Sequence, residues 1–161
     1  SNMSPDVMRV SADLMEAGAD LPMVYWHGLV SRPYNAARYW GQGLSKLERN
    51  GPIVWAPLTL EDRKAAGYPG NDDADLINIL TSIGDADISM IFVEQHDGVK
   101  ISWRAQNRFD VSRIATSFGG GGHQAAAGAD IKGDLYEIRE RVLKTTAEAY
   151  QEYKDSEKVR V

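Results

Sequence analysis

Apolar residues recur along the first third of the chain at helical spacing. They predict a helix that ends at Gly18, a short helix over residues 21–29, and a longer helix from Pro33 that stops at Asn50-Gly51. We therefore interpret residues 4–49 as a helical connector.

Strand and helix patterns alternate after this connector. Two almost continuously apolar runs, Ile53–Leu58 and Ile88–Val93, predict strands, and Pro57 indicates a sheet edge or a strand end. Capping residues followed by apolar positions at helical spacing predict helices over about 60–66, 76–83, 111–118 and 135–149. The order favours an α/β or α+β fold, in which a mixed β-sheet is flanked by helices.

The segment 99–104 carries the clearest alternation in the chain and follows a predicted turn at His96-Asp97-Gly98. Its period of two places three apolar side chains on one strand face and Lys100, Ser102 and Arg104 on the other. Arg104 offers a fixed fork of donors for a phosphate, and Ser102 can donate beside it. A solvent-facing strand side is the alternative interpretation.

A glycine run, Gly119, Gly120, Gly121 and Gly122, precedes His123. Because glycine lacks a Cβ, such a run lets a phosphate approach the backbone amides. Gln124 and the following alanines predict a short helix ending at Gly128, whose N-terminus would point at an anion in front of His123. A flexible loop or a close backbone crossing explains a lone glycine run equally well.

Composition narrows the function classes. The 161 residues carry a net charge of −5, which argues against nonspecific coating of long duplex DNA. The chain has no cysteine, so disulfides and thiolate metal sites are excluded, and its three histidines are widely separated. A metal centre is therefore not expected within the chain. No apolar run is long enough to span a bilayer, and we expect a soluble protein.

The stretch Asp-Val-Ser-x-Ile-Ala-x-x-Phe-Gly-Gly-Gly-Gly-His-x-x-Ala-Ala-Gly, residues 110–128, resembles the signature of the DHH-associated C-terminal domain. That domain occurs in DHH-family phosphoesterases, the group of RecJ-like nucleases, oligoribonucleases, pAp phosphatases and cyclic-dinucleotide phosphodiesterases. Ser102-Trp103-Arg104 is similar to the Ser-x-Arg strand of the family, and residues 14–20 are similar to the helix that leaves its catalytic domain. Ala105 departs from the common Ser-x-Arg-Ser pattern and removes one hydroxyl donor.

The resemblance implies a domain organisation. Residues 1–3 look like a remnant of expression, and residues 4–49 would connect to a catalytic DHH domain that this chain does not contain. Residues 50–155 would form the DHH-associated substrate-binding domain, and residues 156–161 a tail.

The resemblance also implies a function: recognition of a nucleotide phosphate by Ser102, Arg104, the Gly119–Gly122 amides and His123. His123 would hold phosphate or help protonate the leaving oxygen. The substrate would be a short oligonucleotide, a linear or cyclic dinucleotide, or 3′-phosphoadenosine phosphate, hydrolysed with Mn²⁺ or Mg²⁺ held by the DHH domain, so that the present chain alone is inactive. A cytoplasmic location is expected, and homodimer formation stays open. The alternative is a non-catalytic nucleic-acid-binding module, since related glycine-rich domains accompany alanyl-tRNA synthetase.

Overall fold

A computed structural model describes residues 4–158, which divide into two compact units, 4–33 and 34–158. The expectations for residues 1–3 and for residues 159–161 of the tail lie outside the described residues. The first unit is helical, as predicted, and contains α1 (Pro5–Glu16), α2 (Leu21–Tyr25) and a π-helical turn over Trp26–Val30. Gly18, at φ 95°, takes the left-handed conformation that ends α1.

The second unit has the predicted mixed sheet and flanking helices. Its elements are α3 (Tyr34–Leu44), β1 (Glu48–Asn50), β2 (Ile53–Leu58), α4 (Leu60–Ala66), α5 (Leu76–Leu80), β3 (Ile88–Gln95), β4 (Gly98–Ala105), α6 (Val111–Ser117), β5 (Gly121–His123), β6 (Ala126–Lys132) and α7 (Leu135–Lys158). Among residues 4–158, no helix combines the length and the apolar character needed to cross a membrane.

The six strands form one sheet in the order β1-β2-β3-β4-β6-β5. The β2–β3 pair is parallel, and the other four pairs are antiparallel. Pro57 has no backbone N–H, but its position in β2 is compatible with the sheet. Because β1 pairs only with residues 53–55 of β2, no strand on that side requires a hydrogen bond from residue 57.

The connector predicted over residues 4–49 is helical only as far as Leu44. Its last two residues begin β1, because Gly51, at φ 55°, turns the chain back so that Asn50 pairs with Ile53. Helix α3 belongs to the second unit, where its Ala36 and Tyr39 side chains are buried. At the other end, α7 extends to Lys158, into the segment predicted as a tail.

The two faces of the sheet are covered to different extents. Helices α6 and α7 cover one face along β3, β4 and β6, where the core includes Met90, Phe92, Ile101 and Trp103. Helices α3, α4 and α5 pack against Ala56, Leu58, Ile91 and Val93 of β2 and β3 on the opposite face. The opposite face is therefore covered over β2 and β3, and α5 also reaches β4, while its β6-β5 part lies beyond these helices.

Candidate phosphate-binding site

Predicted site residues lie in two rows across β4, β6 and β5. In the first row, Arg104 pairs with Ala126, which in turn pairs with His123. In the second row, Ser102 pairs with Gly128, which pairs with Gly121. Directly paired residues share a sheet face, so all six residues lie on the face opposite α6 and α7. We call this part of the sheet the open face.

The burial pattern of β4 confirms the predicted alternation. Val99, Ile101 and Trp103 are buried against α6 and α7, whereas Lys100 is exposed and Ser102 and Arg104 are half-buried. A hydrogen bond from the Trp103 indole to the buried Thr146 hydroxyl, at 3.2 Å, fixes the strand on its covered side. The polar side of the strand is thereby held towards the open face.

The short helix predicted after His123 is absent, and that prediction was wrong. Residues 121–123 form β5, Gln124 and Ala125 make a turn, and Ala126–Lys132 form β6 against β4. A four-residue run cannot sustain a helix by propensity alone, while the strand gains a full ladder of hydrogen bonds with β4. The helix N-terminus expected to hold an anion therefore does not exist.

Gly119 and Gly120 end helix α6. The Gly119 N–H donates to the Thr116 carbonyl at 3.0 Å, and the Gly120 N–H donates to the Ala115 carbonyl at 2.8 Å. With Gly119 at φ 78°, these bonds form a Schellman motif, which satisfies carbonyls left open at the helix end. These two amides, predicted to cradle a phosphate, are donors within the chain.

Close backbone contacts account for two of the four glycines. A Cβ on Gly120 would lie 2.1 Å from the Gly128 carbonyl oxygen, and one on Gly122 would lie 2.5 Å from the Ala126 carbonyl oxygen. The alternative interpretation of the glycine run, a close backbone crossing, therefore applies to Gly120 and Gly122.

Arg104 and His123 are the two side chains on the open face best suited to an anion. The Arg104 guanidinium donates to the carbonyl of Trp103 at 3.0 Å, and within residues 4–158 it takes part in no ion pair. His123 is exposed on the edge strand β5. Two strand spacings separate their backbones, roughly 10 Å, with only the methyl group of Ala126 between them.

Gln124 holds the turn after His123, a role that the sequence reading missed. Its side-chain amide donates to the Arg108 carbonyl at 2.6 Å, and its own carbonyl accepts from the Val111 N–H at 3.0 Å. The next residue, Ala125, accepts from the Ala105 N–H at 3.0 Å. These bonds fix the turn to the end of β4 and to the start of α6.

Carboxylates reduce the net positive charge at the end of the open face that carries Lys100. Lys100 is paired in register with Asp130 on β6. Burial would raise the pKa of Asp72, but hydrogen bonds from the Tyr68 hydroxyl and the Ala74 N–H, together with the charge of Lys100, lower it. The uncompensated positive charge therefore lies at the end that carries Arg104.

Four basic residues lie close together in the sequence, Lys100, Arg104, Arg108 and Arg113, but the sheet divides them between its two faces. Arg108 and Arg113 line a groove of about 520 Å³ between α6 and α7, on the covered side. Among residues 4–158, no group of three or more His, Asp or Glu side chains is arranged to hold a metal ion.

Comparisons with known proteins place this geometry in a family. A family model described as the DHHA1 domain matches residues 63–152, more than half of the chain. The bifunctional oligoribonuclease and PAP phosphatase NrnA of Thermus thermophilus is 34% identical over 151 residues, which cover 92% of this chain and 45% of that protein. A protein of the same name from Mycoplasma genitalium is 29% identical over 136 residues, covering 81% of this chain and 41% of its own length.

Two solved structures share the fold. An exopolyphosphatase-related protein from Bacteroides fragilis has a TM-score of 0.80 at 25% identity, covering 94% of this chain and 44% of that chain. The pGpG-specific phosphodiesterase PggH from Vibrio cholerae has a TM-score of 0.56 at 16% identity, covering 92% and 52%. The chain spans less than half the length of the curated relatives that it matches. By the matched family model, and in agreement with its own motifs, the chain belongs to the DHHA1 domain family, the C-terminal domain of DHH-family phosphoesterases.

Proposed function

We propose that this chain is the nucleotide phosphate-binding part of a DHH-family phosphoesterase that hydrolyses short oligonucleotides, dinucleotides or 3′-phosphoadenosine phosphate. The row Arg104–Ala126–His123 on the open face is the observation that carries the proposal. The names of the two curated relatives, oligoribonuclease and PAP phosphatase, support this substrate class.

The row has the chemistry to bind one phosphate. Arg104 presents a planar fork that can donate two parallel hydrogen bonds to phosphate oxygens, and His123 can donate a third from the opposite side. The small Ala126 side chain leaves the space between them free, and the Ser102 hydroxyl lies in the next row. In the whole enzyme, His123 would also be able to protonate a leaving oxygen.

The catalytic chemistry belongs to the proposed partner, a DHH domain at the N-terminal side. There Mn²⁺ or Mg²⁺ would activate water and stabilise charge on the phosphate. Residues 4–33 would connect the two parts, and the unit of residues 34–158 would close over the substrate. The protein would act in the cytoplasm. The present chain alone is expected to bind nucleotides without hydrolysing them.

Calorimetric titration of the 161-residue chain with the dinucleotide pApA tests the proposal. A charge-assisted contact to phosphate contributes about 1.5–3 kcal/mol, so Arg104→Ala should weaken binding roughly 10- to 150-fold. Arg104→Lys should restore only part of the affinity, because an ammonium lacks the fork.

Arg113→Ala is the matched control, since it removes the same charge from the covered side of the sheet. It should change the affinity little beyond a salt-screened term. Equal losses at Arg104 and Arg113 that both vanish at high salt would reduce the site to a diffuse positive surface and contradict the proposal.

A further inference from the structure

The groove between α6 and α7 combines an apolar floor with two arginines. Its volume is about 520 Å³, and the buried Phe109 and Ile114 line it together with the half-buried Ala149. The Arg108 and Arg113 side chains also line it and are exposed. Within the described residues 4–158, neither guanidinium takes part in an ion pair or donates a hydrogen bond. Both cations are therefore available to a ligand in the groove.

Arg108 occupies a backbone position that favours glycine. Asn107 and Arg108 have φ of 55° and 65°, and the Phe109 N–H donates to the Gln106 carbonyl at 3.3 Å, a combination typical of a type I′ turn. Glycine is the usual residue at the second central position of this turn, because a side chain there is strained in the left-handed region. A residue that breaks a local preference in this way is typical of a functional site.

The bonds that hold this turn leave the Arg108 side chain free. The Tyr153 hydroxyl donates to the Asn107 carbonyl at 2.8 Å, and the Asn107 side-chain amide donates to the Asp87 carboxylate at 2.6 Å. The Gln124 side chain donates to the Arg108 carbonyl at 2.6 Å. Because these bonds stabilise the strained backbone, the fold keeps a cation at the end of the groove instead of a glycine.

Hydrogen-bond acceptors in the groove favour a peptide over a small inorganic anion. The Glu152 and Asp110 carboxylates line the groove beside the arginines and would repel a bare anion. Three hydroxyl groups of the groove donate to carbonyls of their own helices and keep their oxygens as acceptors, those of Ser117, Thr145 and Ser156. A peptide has N–H groups for these oxygens and can carry carboxylates for the two arginines.

We propose that this groove binds an acidic, partly apolar segment of a partner protein in an extended conformation. Along α7 the groove runs from Thr145 to Ser156, about 16 Å at 1.5 Å per residue, which is the span of about five residues of extended chain. Carboxylates of the segment would bind the Arg108 and Arg113 forks, and an apolar side chain would pack on Ile114. The inference is independent of the proposed function, because the groove lies on the covered side of the sheet.

Selection from a library of random heptapeptides by the 161-residue chain tests the inference. The selected peptides should be enriched in acidic residues next to an aromatic or aliphatic residue. By fluorescence anisotropy, Arg113→Ala should bind a selected peptide at least 10-fold more weakly, because a charge-assisted contact is lost. Lys144→Ala is the matched control, since it removes an exposed cation of α7 that does not line this groove. This control should keep the affinity within about twofold.

Arg108→Gly separates a role in binding from a role in stability. Glycine relieves the left-handed backbone and retains the carbonyl that accepts from Gln124. The variant should bind the selected peptide at least 10-fold more weakly, while its midpoint of urea unfolding stays equal or rises.

The outcomes that would overturn the proposal are distinct. Selection of no peptide, selection of peptides without acidic residues, or equal affinity of Arg113→Ala and the unsubstituted chain would refute an acidic partner segment. A lower urea midpoint for Arg108→Gly would show that the Arg108 side chain stabilises the fold instead. Displacement of the peptide by inorganic phosphate, but not by chloride at the same ionic strength, would assign the groove to small anions. None of these results bears on pApA binding at the open face.

Discussion

At the scale of single residues, the position of His123 depends on a neighbour with no charge of its own. His123 lies on a three-residue edge strand, which alone would hold a side chain loosely. Gln124 compensates, because its side chain and its backbone carbonyl anchor the turn to Arg108 and Val111. We therefore regard Gln124 as a positioning residue for His123.

Gln124→Ala should weaken pApA binding about 3- to 10-fold. The variant loses one side-chain hydrogen bond, which contributes about 0.5–1.5 kcal/mol, and the freed turn lets His123 leave its row. Calorimetry measures the binding and urea unfolding measures the stability.

Gln106→Ala is the control for this prediction. The Gln106 side chain also donates to a backbone carbonyl, that of Thr81 at 3.2 Å, but it does not contact the turn. The two variants should lose similar stability, and only Gln124→Ala should lose affinity. Equal binding by both variants would show that Gln124 has no positioning role.

At the scale of elements, the sequence predicted those whose signals are local and mutually consistent. The alternation in β4 matched the burial of Val99, Ile101 and Trp103, and the cap at Thr59 is a complete capping box with Asp62. The helix before the glycine run is capped by the predicted Asp110, whose carboxylate accepts from the Ser112 N–H at 3.0 Å.

The elements that the sequence missed depend on partners distant in the chain. The alanines after His123 favour a helix locally, but they form β6 because β4 offers a ladder of bonds and α6 a surface for Ala127 and Ala129. From its sequence alone, the glycine run predicts a phosphate cradle. In the fold, two of its amides cap α6 and two of its glycines lie against the backbone of β6, and the local sequence reveals neither contact. The site residues Ser102, Arg104 and His123 were named from the motif, but their rows follow from strand pairing, which the sequence does not reveal.

One ion pair joins the segment after α3 to helix α4. The Lys46 ammonium lies 2.6 Å from both carboxylate oxygens of the buried Asp62, which also completes the capping box with Thr59. Burial would raise the pKa of Asp62, but the hydrogen bonds from Lys46 and Thr59 outweigh burial and lower the pKa. A lowered pKa means that this group stabilises the fold above the ordinary Asp pKa of about 3.9 and that the contribution is lost as pH falls through the folded pKa.

Asp62→Asn should therefore lower the free energy of unfolding by about 1–2 kcal/mol at pH 7, a figure kept modest because Lys46 is partly exposed. The difference from the unsubstituted chain should shrink as the pH falls below about 4. Urea unfolding across this pH range provides the measurement. Glu61→Gln, an exposed acid in the same helical turn, should show a small effect; a difference for Asp62→Asn that does not change with pH would contradict the linkage.

At the scale of the whole molecule, unequal coverage of one sheet creates the candidate site. Helices α6 and α7 bury one face along β3, β4 and β6, and α3 to α5 bury the other face over β2 and β3, with α5 also reaching β4. Strands β4 and β6 therefore have a core behind them and a partly accessible surface in front, and β5 forms the exposed edge beside them. A ligand can bind there without disturbing the core, which is why substitutions of exposed site residues should affect affinity more than stability.

The composition of the open face also limits the length of the ligand. Along β4 the rows begin with Arg104 and His123, continue with Ser102 and the bare glycines, and reach Lys100, whose charge is balanced by Asp130 and Asp72. These rows contain no Phe, Tyr or Trp side chain on which further bases could stack. A strand longer than two or three nucleotides would thus meet carboxylates and no aromatic platform.

Affinity should accordingly rise from pA to pApA and then level off at three and four nucleotides. A general nucleic-acid-binding module, the alternative function, would gain about 1–3 kcal/mol for each further stacked base. Calorimetric titration of the series pA to pApApApA at one fixed salt concentration separates the two, because added phosphates alone contribute a salt-dependent term. Arg104→Ala measured with the same series is the control: it should lower every affinity by the same factor, since each ligand places one terminal phosphate at that side chain. A steady rise in affinity beyond three nucleotides, together with a smaller effect of Arg104→Ala on the affinity for longer strands, would favour the general module over a site for short nucleotides.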